Sequence, residues 1–159
     1  MWEETKGKRA KEKMKALTLS GKALGILAFE DQEPVGWCSF GPRIDFPRIE
    51  TVKAYRREDA DMVWCVNCFF IRRGHRGQGV ARHLLDPAIE AMRRRHVKLI
   101  EAYPVTADKK GKKLAPAFSW TGPIKIFEEQ GFREIQRLAP TKPLVRLDLT
   151  RSLSGSRGG

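Results

Sequence analysis

Apolar residues recur along this chain with two periods, and the switches between them divide it into elements. Trp2, Met14, Leu17 and Leu19 lie among lysines and glutamates in a proline-free stretch, which predicts one helix over residues 2–19, closed near Gly21. Leu24-Gly25-Ile26-Leu27-Ala28-Phe29 and Val35-Gly36-Trp37-Cys38-Ser39-Phe40 flank a polar stretch with a turn-favouring Asp31 and Pro34, the pattern of a β-hairpin. Gly41-Pro42, Pro47 and dense charge mark residues 41–60 as a connecting segment with room for one short helical or extended piece. The run from Met62 to Ile71 is rich in β-branched and aromatic residues and reads as a strand. Leu84, Leu85, Ala88, Ile89 and Met92 then repeat at helical spacing within about 79–95, and Val97 to Tyr103 has the length of a strand that stops at Pro104. Strand, helix and strand in this order imply a right-handed parallel crossover.

Residues 105–119 are polar, with Lys109-Lys110-Gly111-Lys112-Lys113 at their centre, and read as a mobile surface loop. Gly122-Pro123 opens a helix carrying Ile124, Ile126 and Phe127, and Gly131 closes it. Phe132 to Leu138 and Leu144 to Leu149 form a final antiparallel pair, and residues 152–159 a disordered tail. The sum is an α/β chain with a mixed sheet covered by helices, expected as one domain over residues 1–151.

Composition narrows the partners. With 41% apolar and 31% charged residues and no apolar stretch near the roughly 20 residues of a membrane span, the chain reads as soluble. The N-terminus lacks the apolar core of a secretory signal, so a cytoplasmic location is expected. Cys38, Cys65 and Cys68 are odd in number and sit in apolar runs, as reduced buried hydrophobes do. Cys65 and Cys68 spell C-x-x-C, but residues three apart in an extended strand face opposite sides, so neither a metal nor a redox bridge is expected. Lys and Arg exceed Asp and Glu by 31 − 19 = 12, which favours a polyanionic partner. The basic clusters trace neither a reading helix nor an aromatic strand, so nucleic acid is the weaker candidate.

The densest chemistry lies in Arg72-Arg73-Gly74-His75-Arg76-Gly77-Gln78-Gly79-Val80-Ala81-Arg82, between the strand and the long helix. Glycines there let backbone N–H groups converge on an anion at a positive helix end. The spacing G-x-x-G-x-G fits neither a dinucleotide fingerprint nor a P-loop. From the loop alone, a plain structural turn and an anion site are equally good readings. Arg76, Gly79 and Ala81, however, spell R-x-x-G-x-A, and Phe127-Glu128-Glu129-Gln130-Gly131-Phe132 follows the frame Y-x-x-x-G-F. The two motifs at this separation, in this order of elements, resemble the GCN5-related N-acetyltransferase (GNAT) superfamily over about residues 15–150.

The resemblance implies the acyl-CoA N-acyltransferase fold, a splayed central sheet flanked by helices, with acetyl-CoA as cosubstrate. It implies that the amides of Gly77, Gln78, Gly79, Val80 and Ala81 hold the diphosphate, with Arg76 adding charge, and that the main chain of Phe70, Ile71 and Arg72 bonds the pantetheine arm. Arg72, Arg73 and Arg82 are candidates for the diphosphate or the adenosine 3′-phosphate, with an exposed solvated arginine an equally good reading at each. Phe127 stands where the family often has a tyrosine that protonates the departing thiolate; its ring packs beside the sulfur end or in the core. Ahead of the hairpin the chain supplies about one helix where the family has a strand and two helices, and an open sheet edge invites a homodimer or a covering loop.

The activity implied is acetyl transfer to the amine of a small molecule or to an exposed amino group. A non-catalytic acyl-CoA-sensing or nucleic-acid-binding module on the same fold is the alternative, which Phe127 favours. Glu101 is preferred as general base over Asp61 and Glu58, because a carboxylate in an apolar strand needs a function or a salt-bridge partner. Tyr103 is the candidate acid, or a core tyrosine with a bonded hydroxyl. Trp120, in a loop, is the candidate acceptor-pocket residue, with Trp37 and Trp64 read as core. His75 reads as phosphate-side or exposed and His83 and His96 as surface, none with a partner at triad or metal spacing.

Overall fold

The computed structural model describes residues 8–107 and 120–151; the expectations for residues 2–7, for the lysine-rich loop and for the C-terminal tail fall outside them. Helix α1 spans Lys8–Leu19. Strands β1 (Leu24–Glu30) and β2 (Glu33–Pro42) form the expected hairpin, and Asp31 and Gln32, both at positive φ, make the two-residue turn whose twist matches that of the strands. The connecting segment holds more structure than expected: the five-residue helix α2 (Pro47–Thr51) and three 3₁₀ turns, at Arg43–Asp45, Lys53–Tyr55 and Ala60–Met62. Then come β3 (Val63–Ile71), α3 (Val80–Arg94), β4 (Leu99–Ala102), α4 (Ile124–Glu129), β5 (Arg133–Ala139) and β6 (Lys142–Asp148). β4 is shorter than its apolar run and stops before Tyr103, while β5 and β6 are joined by only Pro140 and Thr141.

The six strands form one sheet in the order β1-β2-β3-β4-β6-β5. Only β3 and β4 are parallel, and α3 is their crossover. Their pairing is brief, from Val63 opposite Leu99 to Val66 opposite Ala102. β3 continues along β2 as far as Ile71, without β4 beside it. Between those two stretches the β2 register steps from Ser39 opposite Cys68 to Phe40 opposite Val66, leaving Asn67 as an extra residue. Such a bulge bends the strand and ends pairing, and it also reverses the alternation of faces. Val66 and Phe69 therefore both point into the core, and Cys65 and Cys68 share the other face. This corrects the expectation that the two cysteines face opposite sides, which assumed an unbroken strand.

The apolar stripe of α3 lies against one face of the sheet. Leu84, Leu85, Ala88, Ile89 and Met92 are buried with Cys38, Phe40, Val66, Ile100, Ala102 and Val145. Phe127 closes this core at the α4 end, edge-to-face between Phe69 and Phe132. Pro87 lies inside α3 on the exposed side, where the carbonyl it leaves without an N–H partner meets water. No helix among the described residues is long and apolar enough to cross a membrane.

Because Leu84 is fully buried at the centre of this packing, Leu84→Ala should cost about 3 kcal/mol in a urea unfolding titration, the usual cost of a buried cavity. The same substitution at the exposed Leu19 should change stability by under about 0.5 kcal/mol.

Candidate functional site

The turn between β3 and α3 is built from backbone. Gly74, Gly77 and Gly79 all have positive φ, and a side chain added at any of them would meet open space, so the turn presents bare main chain to solvent. Gly79 is the residue before the helix, left-handed at φ 81°, and the first helical bond runs from His83 N–H to Gly79 O at 3.1 Å. The amides of Val80, Ala81 and Arg82 therefore have no acceptor within the helix. The Gln78 amide donates to Gly74 O at 3.0 Å and holds the turn closed. Arg72 sits 3.8 Å from Glu33, and Arg82 forms an ion pair with Glu129 that ties α3 to α4. These pairs are exposed and worth little, so an incoming anion can compete for either arginine. His75 lies 2.8 Å from Glu30, a partner from β1 that the sequence did not reveal.

Beyond the bulge, alternate β3 residues turn their main-chain groups toward β2 or toward the gap. Arg72 N–H donates to Val35 O at 2.8 Å, so Phe70 and Arg72 face β2. Phe69 and Ile71 face the gap: Phe69 N–H donates to Trp120 O at 2.6 Å, and Ile71 O accepts from Arg76 Nε at 3.0 Å. Of Phe70, Ile71 and Arg72, for which main-chain contacts were expected, only Ile71 turns its main-chain groups to the gap, because the ladder alternates, and Phe69 does so with it; Phe70 is 61% exposed, with its ring on the face away from α3. Residues 120–124 lie as a strap where β3 and β4 part. Val105 N–H donates to Gly122 O at 3.1 Å and Ile124 N–H to Val105 O at 3.3 Å. Gly122, at φ 85°, lies so close to the Phe69 and Phe127 rings that a Cβ there would come within 3.0 and 3.2 Å of them.

On the sheet face away from α3, Glu101 is completely buried. It lies between Cys65 on β3 and Arg146 on β6. Arg146 Nε donates to Glu101 at 2.7 Å, and its two terminal nitrogens grip Asp59 at 2.7 and 2.9 Å. Arg43, also fully buried, places its Nε 3.3 Å from both Glu101 and the Tyr103 hydroxyl, donates to Tyr55 O, and lies 3.5 Å from Glu50. Tyr103 donates its proton to Glu101 and packs edge-to-face with Tyr55. Burial, then the Glu101 carboxylate, pushes the Tyr103 and Tyr55 phenols above the ordinary tyrosine range. The hydrogen bond from Arg146 holds Asp59 below the usual carboxylate range, and burial followed by Glu101 pushes the Cys65 thiol up. A cleft of about 480 Å³ opens beside this network, lined by Arg56, Arg57, Glu58, Asp59 and Arg146.

Two sets of candidates thus separate. Gly77 to Arg82, Ile71 and Arg76 gather at the turn and the gap, with Trp120, 48% exposed, at the strap. Glu101 and Tyr103 are joined to each other and to arginines, the salt-bridge alternative that a buried carboxylate invites. Phe127 is fully buried in its aromatic cluster and carries no proton to donate. Arg43, Asp59, Arg146 and the Trp120 carbonyl were not anticipated; Arg146, an alternate residue within Leu144-Val145-Arg146-Leu147, was the only one with a readable signal. No group of three or more histidine, cysteine, aspartate or glutamate side chains among the described residues could hold a metal ion.

The model of the acetyltransferase (GNAT) family matches residues 1–115 of the 159. No curated protein matches the sequence. Among solved structures, an N-acetyltransferase from Staphylococcus aureus Mu50 is similar at TM-score 0.59 and 13% identity, over 89% of this chain and 76% of that one. A ribosomal-protein-alanine N-acetyltransferase from Brucella melitensis is similar at TM-score 0.56 and 19% identity, over 88% and 76%. The PaiA N-acetyltransferase from Thermoplasma acidophilum, solved in complex with coenzyme A, is similar at 0.55 and 12%, over 89% and 72%.

Removing one partner of the buried network exposes its cost. Glu101→Gln should destabilise the protein by about 3 kcal/mol in urea unfolding, since it leaves two guanidinium groups facing a neutral amide. Asp59→Asn should cost about 1 kcal/mol at pH 7. Because the Asp59 pKa is lowered in the folded protein, that difference is fully present above the ordinary aspartate pKa near 4 and should vanish as pH falls through the lower folded value.

Proposed function

The chain belongs to the acetyltransferase (GNAT) family, and from that premise we propose that it transfers an acetyl group from acetyl-CoA to the amine of a small molecule or an exposed amino group. The observation that carries this reading is the joint arrangement of the glycine turn and the gap beside β3: an anion site opens at one end of a cleft between strands. The cosubstrate supplies an activated acyl group as its thioester, bound to a flexible arm and a charged diphosphate.

The chain's residues fit such a ligand. The unbonded amides of Val80, Ala81 and Arg82 and the bare turn before them suit a diphosphate, with the positive end of α3 behind them. Arg76 spends only its Nε on Ile71, which leaves its terminal nitrogens for the same anion. The Phe69 carbonyl and the Ile71 N–H, on the gap side of β3, offer a strand edge along which an extended arm can lie, as an added strand does. In this reading Glu101 and Tyr103 position residues 43–59 through Arg43 and Arg146, and leave the proton of the amine to a carboxylate that water reaches. Glu58 and Asp61 are both exposed and without an ion pair among the described residues; Glu58 also lines the cleft beside Asp59.

The buried Phe127, without a proton to give, and the Phe69 amide, satisfied by Trp120, favour a second reading: a protein that binds acyl-CoA without turning it over. Saturable binding with no acetylated product across a broad amine panel would decide for it. Binding to nucleic acid would instead fall steeply with added salt.

Calorimetric titration with acetyl-CoA tests the main reading, with micromolar saturable binding expected and heat indistinguishable from dilution contradicting it. Gly79→Val, which forces a β-branched residue into a left-handed conformation at the turn, should weaken binding at least tenfold. Arg76→Ala should weaken it roughly tenfold through one lost charge-assisted contact.

A further inference from the structure

The strap across the parted strands holds one polar group that nothing in the fold uses. The Thr121 hydroxyl is buried and has no hydrogen-bond partner among the described residues. A buried hydroxyl without a partner carries the cost of its lost hydration, and a fold that retains one calls for an explanation. Its surroundings supply one. The carbonyl before it, that of Trp120, takes the β3 amide of Phe69, and the carbonyl after it, that of Gly122, takes Val105 N–H just beyond β4. Thr121 therefore spans the gap at the level where the two strands have separated. Gly122 sets its depth, because the Phe69 and Phe127 rings leave no room for the strap to sink further.

Several other donors among the described residues are already committed. The Tyr103 hydroxyl belongs to Glu101, Arg76 Nε to Ile71 O, Phe69 N–H to Trp120 O, and Phe127 has none. Resting on the acetyl-CoA reading above, we propose that Thr121 is a ligand-contacting residue whose hydroxyl donates a hydrogen bond to the thioester carbonyl oxygen of the bound acyl-CoA. The free thiol of coenzyme A lacks that oxygen. Thr121 would thus distinguish the loaded cosubstrate from the spent one.

The test is a set of calorimetric titrations of acetyl-CoA and of coenzyme A into the wild type, Thr121→Val and Thr121→Ser, with thermal midpoints for each protein. The wild type should favour acetyl-CoA by about fivefold, the scale of one net hydrogen bond. Thr121→Val should erase that preference by weakening acetyl-CoA alone, and Thr121→Ser should restore it. The midpoint of Thr121→Val should be unchanged or raised, since valine fills the same volume without a hydroxyl to desolvate. An unchanged preference in Thr121→Val, an equal loss for both ligands, no preference in the wild type, or a lowered midpoint would each overturn the assignment. If the wild type bound neither ligand, the acetyl-CoA reading itself would fall and this assignment with it.

Discussion

One extra residue in one strand organises this molecule. Asn67 has no opposite number in β2, so β3 bends away from β4 after four paired positions. A cleft between parallel neighbours follows directly, because no main-chain bonds remain to close it. The gap-facing groups of Phe69 and Ile71 then need partners, and the chain provides the Trp120 carbonyl and the Arg76 guanidinium. The reversal of faces puts the Phe69 ring into the core, where it meets Phe127 and fixes how closely Gly122 can approach. Strap, aromatic cluster and open edge are consequences of the same inserted position.

The opposite face is governed by charge. A carboxylate with no solvent access at the centre of a sheet is tolerable only if its bonding capacity is filled, and here two arginines and a tyrosine fill it. Those arginines reach outward to Glu50, Tyr55 and Asp59, so a segment made of short helical turns is tied down at three points. An apolar replacement of the whole cluster could be as stable, but it would not specify where residues 43–59 lie. Rigid placement of that segment matters because its residues Arg56 to Asp59 line the cleft beside the network.

Much of this architecture was legible in the residues. The stripe of Leu84, Leu85, Ala88, Ile89 and Met92 marked α3, the glycines marked the turn before it, and the polar stretch around Asp31 marked the hairpin. Such features are local: periodicity and turn chemistry lie within ten or fifteen neighbours. The bulge was not seen, although Val66 and Phe69 are large apolar residues at a spacing no regular strand buries on one face. The Arg43 cluster stayed hidden for another reason. It joins residues far apart in sequence, up to 87 positions between Asp59 and Arg146, and long-range pairing of charges leaves no periodic trace.

The cysteines give the bulge a practical reach. Cys38, Cys65 and Cys68 are all free, and burial raises every one of their thiols. Sulfur reacts as the thiolate, so burial slows the reaction of all three with disulfide reagents while the native fold lasts, least at the half-buried Cys68. A chromogenic thiol trap that follows a reaction releasing a small thiol should therefore meet only a slow protein background until the chain unfolds.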